Sequence, residues 1–437
     1  MVVWRCMEAF LESIRTSFVS AWGIIVIFFR FAPYWAPVFF VFAGWKSWMR
    51  YRRALFLSKK EPVLLEIRLP KEIDKSPLAM EMVLNALFAT GGEGTWKDRY
   101  WLGGVRPWFS LELVSLEGRV KFFIWTWRDS VKSIQNSIYA QYPMTEVVEV
   151  SDYTLAFLYD PDKADISAAE FVLSKADPYP IKTYVDYKLD KDPKEEYKID
   201  PMAPVLEYLG GLGKGEQAWI QIIVRAHKKE DSKKGSLFSL FSSFEDVFDV
   251  GKKIKEHFEK TDQWKDDVKK EVDSIIKKRK IKSGKDEEFG MVQLTDVEKD
   301  MITALERSIT KLPFDVGIRT IYLAEQEYFN KSNKGALNGV FAQYNTQHLN
   351  GFKKVNGTSF DYDIQDPFGW RVARMKREMF EAYRLRSYFH PPFKRNHYVL
   401  NSEELATIYH FPGGTVATPT FARIESQKAE PPMNLPI

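Results

Sequence analysis

At 437 residues, with 45% apolar and 15% aromatic residues, the chain is long enough for two or three domains and too apolar to be disordered. Its 63 Lys and Arg stand against 59 Asp and Glu, a balance that does not by itself name nucleic acid as a partner. A lone Cys6 excludes an intramolecular disulfide framework and any cysteine-based zinc cluster, and it suits a reducing compartment.

Residues 1–17 carry apolar residues at helical spacing and predict an amphipathic or flexible N-terminus. Residues 18–49 predict a transmembrane anchor. Between Phe18 and Trp45 the only charge is Arg30, and the run exceeds the about 20 residues that cross a bilayer core of about 30 Å. Arg30 belongs toward an interface, where its stem can snorkel. Lys46, Arg50, Arg52, Arg53, Lys59 and Lys60 follow, the later ones within a basic juxtamembrane linker over 50–61. Positive charge after the span places the bulk of the chain on the cytoplasmic side of an inner membrane, as a single-pass protein.

From residue 62 the apolar period alternates between strand and helix. A strand over 63–70, a helix over 76–90 capped by Ser76 and Pro77, a hairpin over 108–127 turning at Glu117 and Gly118, a helix over 130–142 and a strand over 145–153 give the split βαβ order. That order predicts a ferredoxin-like domain over 62–205. A strand over 217–227, a helix over 295–310 with a Thr295–Glu298 capping box, a strand over 313–325 and a helix over 335–349 predict a second such domain over 206–400. The expected fold class is therefore α+β: a transmembrane anchor, then two ferredoxin-like units, the second interrupted by a charged helical insertion over 228–290.

Within that insertion, 252–282 reads as a long exposed helix whose end, Lys277, Lys278, Arg279 and Lys280, is basic enough to touch phosphate on DNA or lipid. Leu237, Phe241, Phe244 and Phe248 form an apolar stripe of the kind that packs against its own protein. A second basic helix over 369–386 offers Arg371, Arg374, Arg377 and Arg384 as DNA contacts. The end of the chain, 401–437, has strand-like composition broken by Pro412, Gly413, Gly414 and Pro419. It predicts an attachment segment with Ile408, Tyr409, His410, Phe411, Val416 and Phe421 in contact with a partner and a Pro-rich tail beyond them.

Catalytic chemistry is scarce. In "GGLGKGE" (210–216) Lys214 is followed by Gly215 rather than Ser or Thr, and Tyr208 stands where a phosphate loop needs its first glycine, so the stretch reads as a turn. "DYDIQD" (361–366) lacks the glycine and the bidentate Glu of a calcium loop. The six histidines form no pair at metal spacing. The reading is of a protein without catalytic, cofactor or metal residues, and not an enzyme.

The blocks "EPVLLEIRLPKEIDKSPLAMEMVLNAL", "FSLELVSLEG", "IYAQYPMTEV", "LTDVEKDMITALERSI", "FDVGIRTIYLAE", "LNGFK" and "LNSEELATIYHFPG" run in order through residues 61–437. Together they resemble an uncharacterised membrane-anchored family of small-genome, largely uncultivated bacteria. That family is similar to the non-ATPase parts attached to, or encoded near, HerA/FtsK-like and conjugative type IV secretion ATPases. Its signature positions here include Glu66, Ser76, Pro77, Glu81, Tyr142, Pro143, Glu404, Leu405, His410, Phe411 and Pro412. The resemblance implies a scaffold at the lipid bilayer, alone or as a homo-oligomer, that recruits a HerA/FtsK-like motor ATPase in trans for DNA or protein transfer. The alternative is a membrane-tethered nucleic-acid-binding protein.

Overall fold

The computed structural model describes residues 30–70, 75–157 except 94 and 96, 159–190 except 162, 199–228, 263–283, 294–360 and 366–413. The chain divides into two compact units, one of Met1–Lys59 with Gly92–Val105 and one of Lys60–Gly91 with Arg106–Ile437.

In the first unit, α1 (Ala32–Ser58) tolerates Pro33 in its opening turn and runs on through Pro37. Trp45 and Trp48 meet Tyr100 and Trp101, ring centroids 5.6 and 5.9 Å apart, and Arg52 Nε donates to the Trp101 carbonyl. The chain approaches α1 so closely that a Cβ at Gly103, where φ is +72°, would lie 2.5 Å from the Arg52 backbone. The expected transmembrane anchor is corrected here. No helix among the described residues is long and apolar enough to cross a membrane. The uncharged part of α1 ends at Trp45 and rises about 21 Å, short of a hydrocarbon core of about 30 Å. The same helix then continues without a break into Lys46, Arg50, Arg52 and Arg53. Residues 1–29 of the expected N-terminal segment lie outside the described residues.

The second unit begins with β1 (Pro62–Arg68), α2 (Pro77–Ala86), β2 (Trp108–Leu116), β3 (Arg119–Trp127), α3 (Val131–Gln141) and β4 (Glu146–Val150). It continues with β5 (Ala164–Leu173), α4 (Ala203–Gly210), β6 (Glu216–Ala226), α5 (Gln263–Ser283), α6 (Asp296–Ile309) and β7 (Pro313–Glu325). The last elements are α7 (Lys331–Asn338), β8 (Phe352–Val355), α8 (Trp370–Arg384), β9 (Tyr398–Asn401) and α9 (Ser402–Ile408). Local chemistry sets several boundaries. Glu117 and Gly118 take φ of 52° and 81° and close the β2–β3 hairpin in the two-residue turn that matches strand twist. Thr295 and Glu298 complete a reciprocal capping box at the start of α6.

The nine strands among the described residues form one antiparallel sheet in the order β4-β1-β3-β2-β6-β7-β5-β8, with β9 also paired to β7. The expectation of two separate ferredoxin-like units is overturned by this continuity. The outer edge of β2, which would end the first unit, instead pairs with β6 from Trp108↔Arg225 to Leu116↔Gln217. An exposed strand edge carries a row of unpaired backbone groups, and this pairing satisfies them. The predicted helix over 335–349 is also corrected: α7 ends at Asn338 and a single turn of 3-10 helix, Ala342–Tyr344, follows.

One face of the sheet is apolar. Leu65, Leu111, Ile124, Ile222 and Ile318 are all at most 1% exposed and share a core with Leu84 of α2, Ile138 of α3, Leu206 of α4 and Leu405 of α9. Each such side chain contributes about 1.5–3 kcal/mol by leaving water. The described beginning of the expected attachment segment, 401–413, contributes Leu405, Ala406, Ile408, Tyr409 and Phe411 to this core. Residues 402–408 are helical, and Ile408, Tyr409, His410 and Phe411 are buried. Phe411 packs on Phe122 and Tyr142 at 5.5 and 4.8 Å, Tyr409 donates to the Phe123 carbonyl, and His410 Nε2 lies 3.2 Å from Asp200. These side chains face their own domain, so the partner contacts expected of them are not on offer. Val416 and Phe421 lie outside the described residues.

The strand pattern of "ATIYHF" loses to a capping box, in which Asn401 accepts from Glu404 N and Glu404 accepts from Asn401 N at 2.8 Å. The other Glu404 oxygen accepts from Ile181 N at 2.8 Å. Burial raises this carboxyl from an ordinary 4.5 to about 8, and the two N–H bonds offset only part of the rise. A carboxyl whose folded pKa is raised keeps a proton that the unfolded chain has already lost, so stability falls as pH rises from about 4.5 to about 8. Glu404→Gln should remove a slope of up to about 1.4 kcal/mol per pH unit from that window. Urea unfolding at pH 5, 6, 7 and 8 measures it; equal slopes in both proteins would show that Glu404 does not titrate there.

Candidate functional site

The opposite face of the sheet is polar at its centre. Glu112 of β2, Gln221 of β6, Arg319 of β7 and Glu170 of β5 stand directly opposite one another in register, and all are at most 1% exposed. Arg319 Nη2 donates to Glu170 Oε1 at 2.8 Å and Gln221 Nε2 donates to Glu112 Oε1 at 3.0 Å. Four residues toward the other end of the strands, Arg225 and Asp315 form a second pair, with Nε to Oδ2 at 2.8 Å. Arg106, His227 and His397 also meet Asp315, at 3.3, 2.5 and 3.6 Å. Burial pushes the Asp315 carboxyl up, but His227, His397 and Arg225 together hold it below its ordinary value. Among the described residues no group of three or more His, Cys, Asp or Glu is arranged to hold a metal ion.

This row is closed by α8 and the chain just after it. Along α8, Met379, Phe380, Ala382 and Tyr383 are buried. The Phe380 ring meets Phe157, Tyr159 and Trp219 at 6.0, 5.9 and 6.1 Å. The Tyr383 hydroxyl is 2.8 Å from that of Tyr153, which donates to Glu112 Oε2 at 2.9 Å. Arg386, turned by a φ of 48°, lies wholly inside. Its Nε and Nη2 donate to the two Glu112 oxygens at 3.0 and 3.1 Å, and Nη1 and Nη2 reach Asp152. Burial acts against both charges, yet the pairing keeps Asp152 below and Arg386 well above their ordinary values. A planar guanidinium bridging two carboxylates is a geometry that a lysine cannot reproduce.

The other side of α8 faces solvent. Arg371, Arg374 and Arg377 are exposed; Arg384 is half-buried. Arg374 pairs with Glu378 at 2.8 Å, Arg384 with Glu381 at 3.0 Å, and Arg371 lies 4.9 Å from the Phe360 ring centre. Lys376 is drawn inward to Asp165. Just before the helix, Phe368 and Trp370 are 77% and 76% exposed and stack on each other at 5.4 Å and 29°. Asp366 holds the turn, accepting from Val372 N at 2.8 Å and, through its carbonyl, from Gly369 N at 3.1 Å. Beneath lies a polar cleft of about 210 Å³ lined by Asp165, Lys334, Thr358, Ser359, Asp366 and Lys376 among others.

Three of the four arginines expected in this helix therefore form one exposed surface. Sequence reading missed the two rings beside them, although "PFGW" marked an aromatic pair around a glycine. Of the other basic cluster, Lys277 is exposed on α5, while the side chains of Lys278, Arg279 and Lys280 lie outside the described residues. Lys214 sits in an exposed turn where Gly213 N donates to Glu216. The apolar stripe from Leu237 to Phe248 lies outside the described residues. A family model described as a domain of unknown function, DUF8128, matches residues 54–423. No curated protein matches the chain.

Removing Arg386 would leave the buried Glu112 and the half-buried Asp152 without their shared cation. Arg386→Met should cost about 3–5 kcal/mol in denaturant unfolding, and Arg386→Lys should recover only a minor part because a point charge cannot span both carboxylates. A lysine variant as stable as the parent would show that the bidentate geometry is unimportant.

Proposed function

The chain belongs to the DUF8128 family, and from that premise we propose that it is a nucleic-acid-binding protein rather than an enzyme, with α8 as its contact surface. The observation that carries this reading is the placement of Arg371, Arg374 and Arg377 on the solvent side of a helix whose other side is locked into the sheet. Over its length α8 carries five cations against two carboxylates. Guanidinium groups are suited to phosphate because their planar donor fork is rigid and weakly hydrated. A helix fixed by Arg386 and Tyr383 presents them without a large ordering cost on binding. Recruitment of a HerA/FtsK-like ATPase drew on Ile408, Tyr409, His410 and Phe411, and their burial leaves the arginine surface as the better supported reading.

Neutralising phosphates releases counterions, so log Kd against log salt should be linear. For the full chain and a labelled oligonucleotide, changing Arg371, Arg374 and Arg377 to Gln should make the slope shallower by about 2–3 and weaken binding throughout. Lys277→Gln should leave the slope unchanged. Loss of slope on the Lys277 change, with none on the triple change, would move the contact to α5; binding unchanged by either would sink the proposal.

A further inference from the structure

Resting on that reading, we infer that the Phe368–Trp370 stack is a base-stacking platform and that it makes the α8 surface a site for single-stranded nucleic acid. Two large rings more than three-quarters exposed, face against face, are costly in water, where each would ordinarily bury most of its area. The turn that carries them is well built all the same. Gly369 takes a φ of +69°, in the left-handed region that favours glycine, and Asp366 closes the turn by accepting from Gly369 N through its carbonyl and from Val372 N through its carboxylate. The rings are thus set before any ligand arrives, which lowers the ordering cost of binding.

Charge says what covers them. Trp370, Arg374 and Arg377 follow one another at i, i+4 and i+7, so the ring and both guanidinium groups share one helix face. Arg371 adds a fourth group near the same end of the helix. An aromatic surface continuous with arginines matches a strand whose bases and phosphates are both accessible. In a duplex the base faces are already stacked on each other, so the rings would have none to cover. Unpaired bases of any identity can stack on Phe and Trp, so the site should discriminate strandedness more than sequence.

The test uses the full chain with two probes, a fluorescently labelled 20-mer of dT and a 20-base-pair duplex, each titrated by anisotropy across a salt series. Phe368→Ala and Trp370→Ala should each weaken the dT probe by roughly 5- to 150-fold, with an unchanged salt slope and little effect on the duplex. Trp370→Phe should keep most of the affinity, since it keeps a ring. Both sites are exposed, and matched thermal melts confirm that the variants fold. If the alanine variants bind the dT probe as the parent does while the arginine changes still flatten the slope, the rings are not a platform and nucleic-acid binding stands. If the parent binds neither probe, both the platform and the function beneath it fall.

Discussion

The structure depends on neutralising a row of charge in the middle of a buried sheet face. Glu112, Gln221, Arg319 and Glu170 stand side by side on four adjacent strands. Left alone, they would present two carboxylates against one guanidinium in a region shielded from water. Isolated buried ions cost several kcal/mol each, so the excess negative charge has to be met by residues from elsewhere. Arg386 meets Glu112, and Arg395 and Asn356 reach the second Glu170 oxygen at 3.3 and 2.7 Å. The chain from α8 to β9 is held over this face by that need. Its fit is close: a Cβ at Gly317 would run into the ring of Tyr388.

The two faces are therefore held by different physics. The apolar face follows from area alone, since any well-filled set of helices over Leu65, Leu111 and Ile222 would gain most of the same hydrophobic free energy. The polar face has one solution, because each charge needs a partner at hydrogen-bond distance. That difference passes directly into α8. Its inner side is specified by Tyr383 and the network behind it, so the outer side is displayed at a fixed angle to the sheet rather than on a mobile loop.

What the sequence made legible was local. The period-2 pattern of β1, β3 and β7, the turn at Glu117 and Gly118, and the capping box at Thr295 were all readable to within a few residues. β5 was missed because "ADISAAEFVL" has three alanines and a serine where a strand usually shows branched or aromatic residues. α9 was misread because "ATIYHF" has β-branched and aromatic content, while the cap that makes the helix lies just upstream at Asn401. The joining of the sheet was not readable at all. Whether the edge of β2 ends a domain or pairs with β6 depends on a partner more than 100 residues further along the chain, as in Leu116↔Gln217 and Trp108↔Arg225, and no periodicity encodes it.

The site shows the same limit at finer grain. Arg374 and Arg386 stand 12 residues apart in one basic stretch and look equivalent as letters. In the structure Arg374 is one of the exposed guanidinium groups, and Arg386 is among the most completely buried side chains of the molecule. Helical phase separates the first from the core. A left-handed residue just past the helix end turns the second toward Glu112, 274 positions away in sequence. Composition could count these charges but could not tell a solvent-facing arginine from a buried structural one, because the distinction is made by carboxylates on distant strands. The basic stretch from Arg371 to Arg386 therefore holds two kinds of arginine: the buried one just beyond α8 fixes the helix, and the exposed ones are held by it at defined positions on the solvent side.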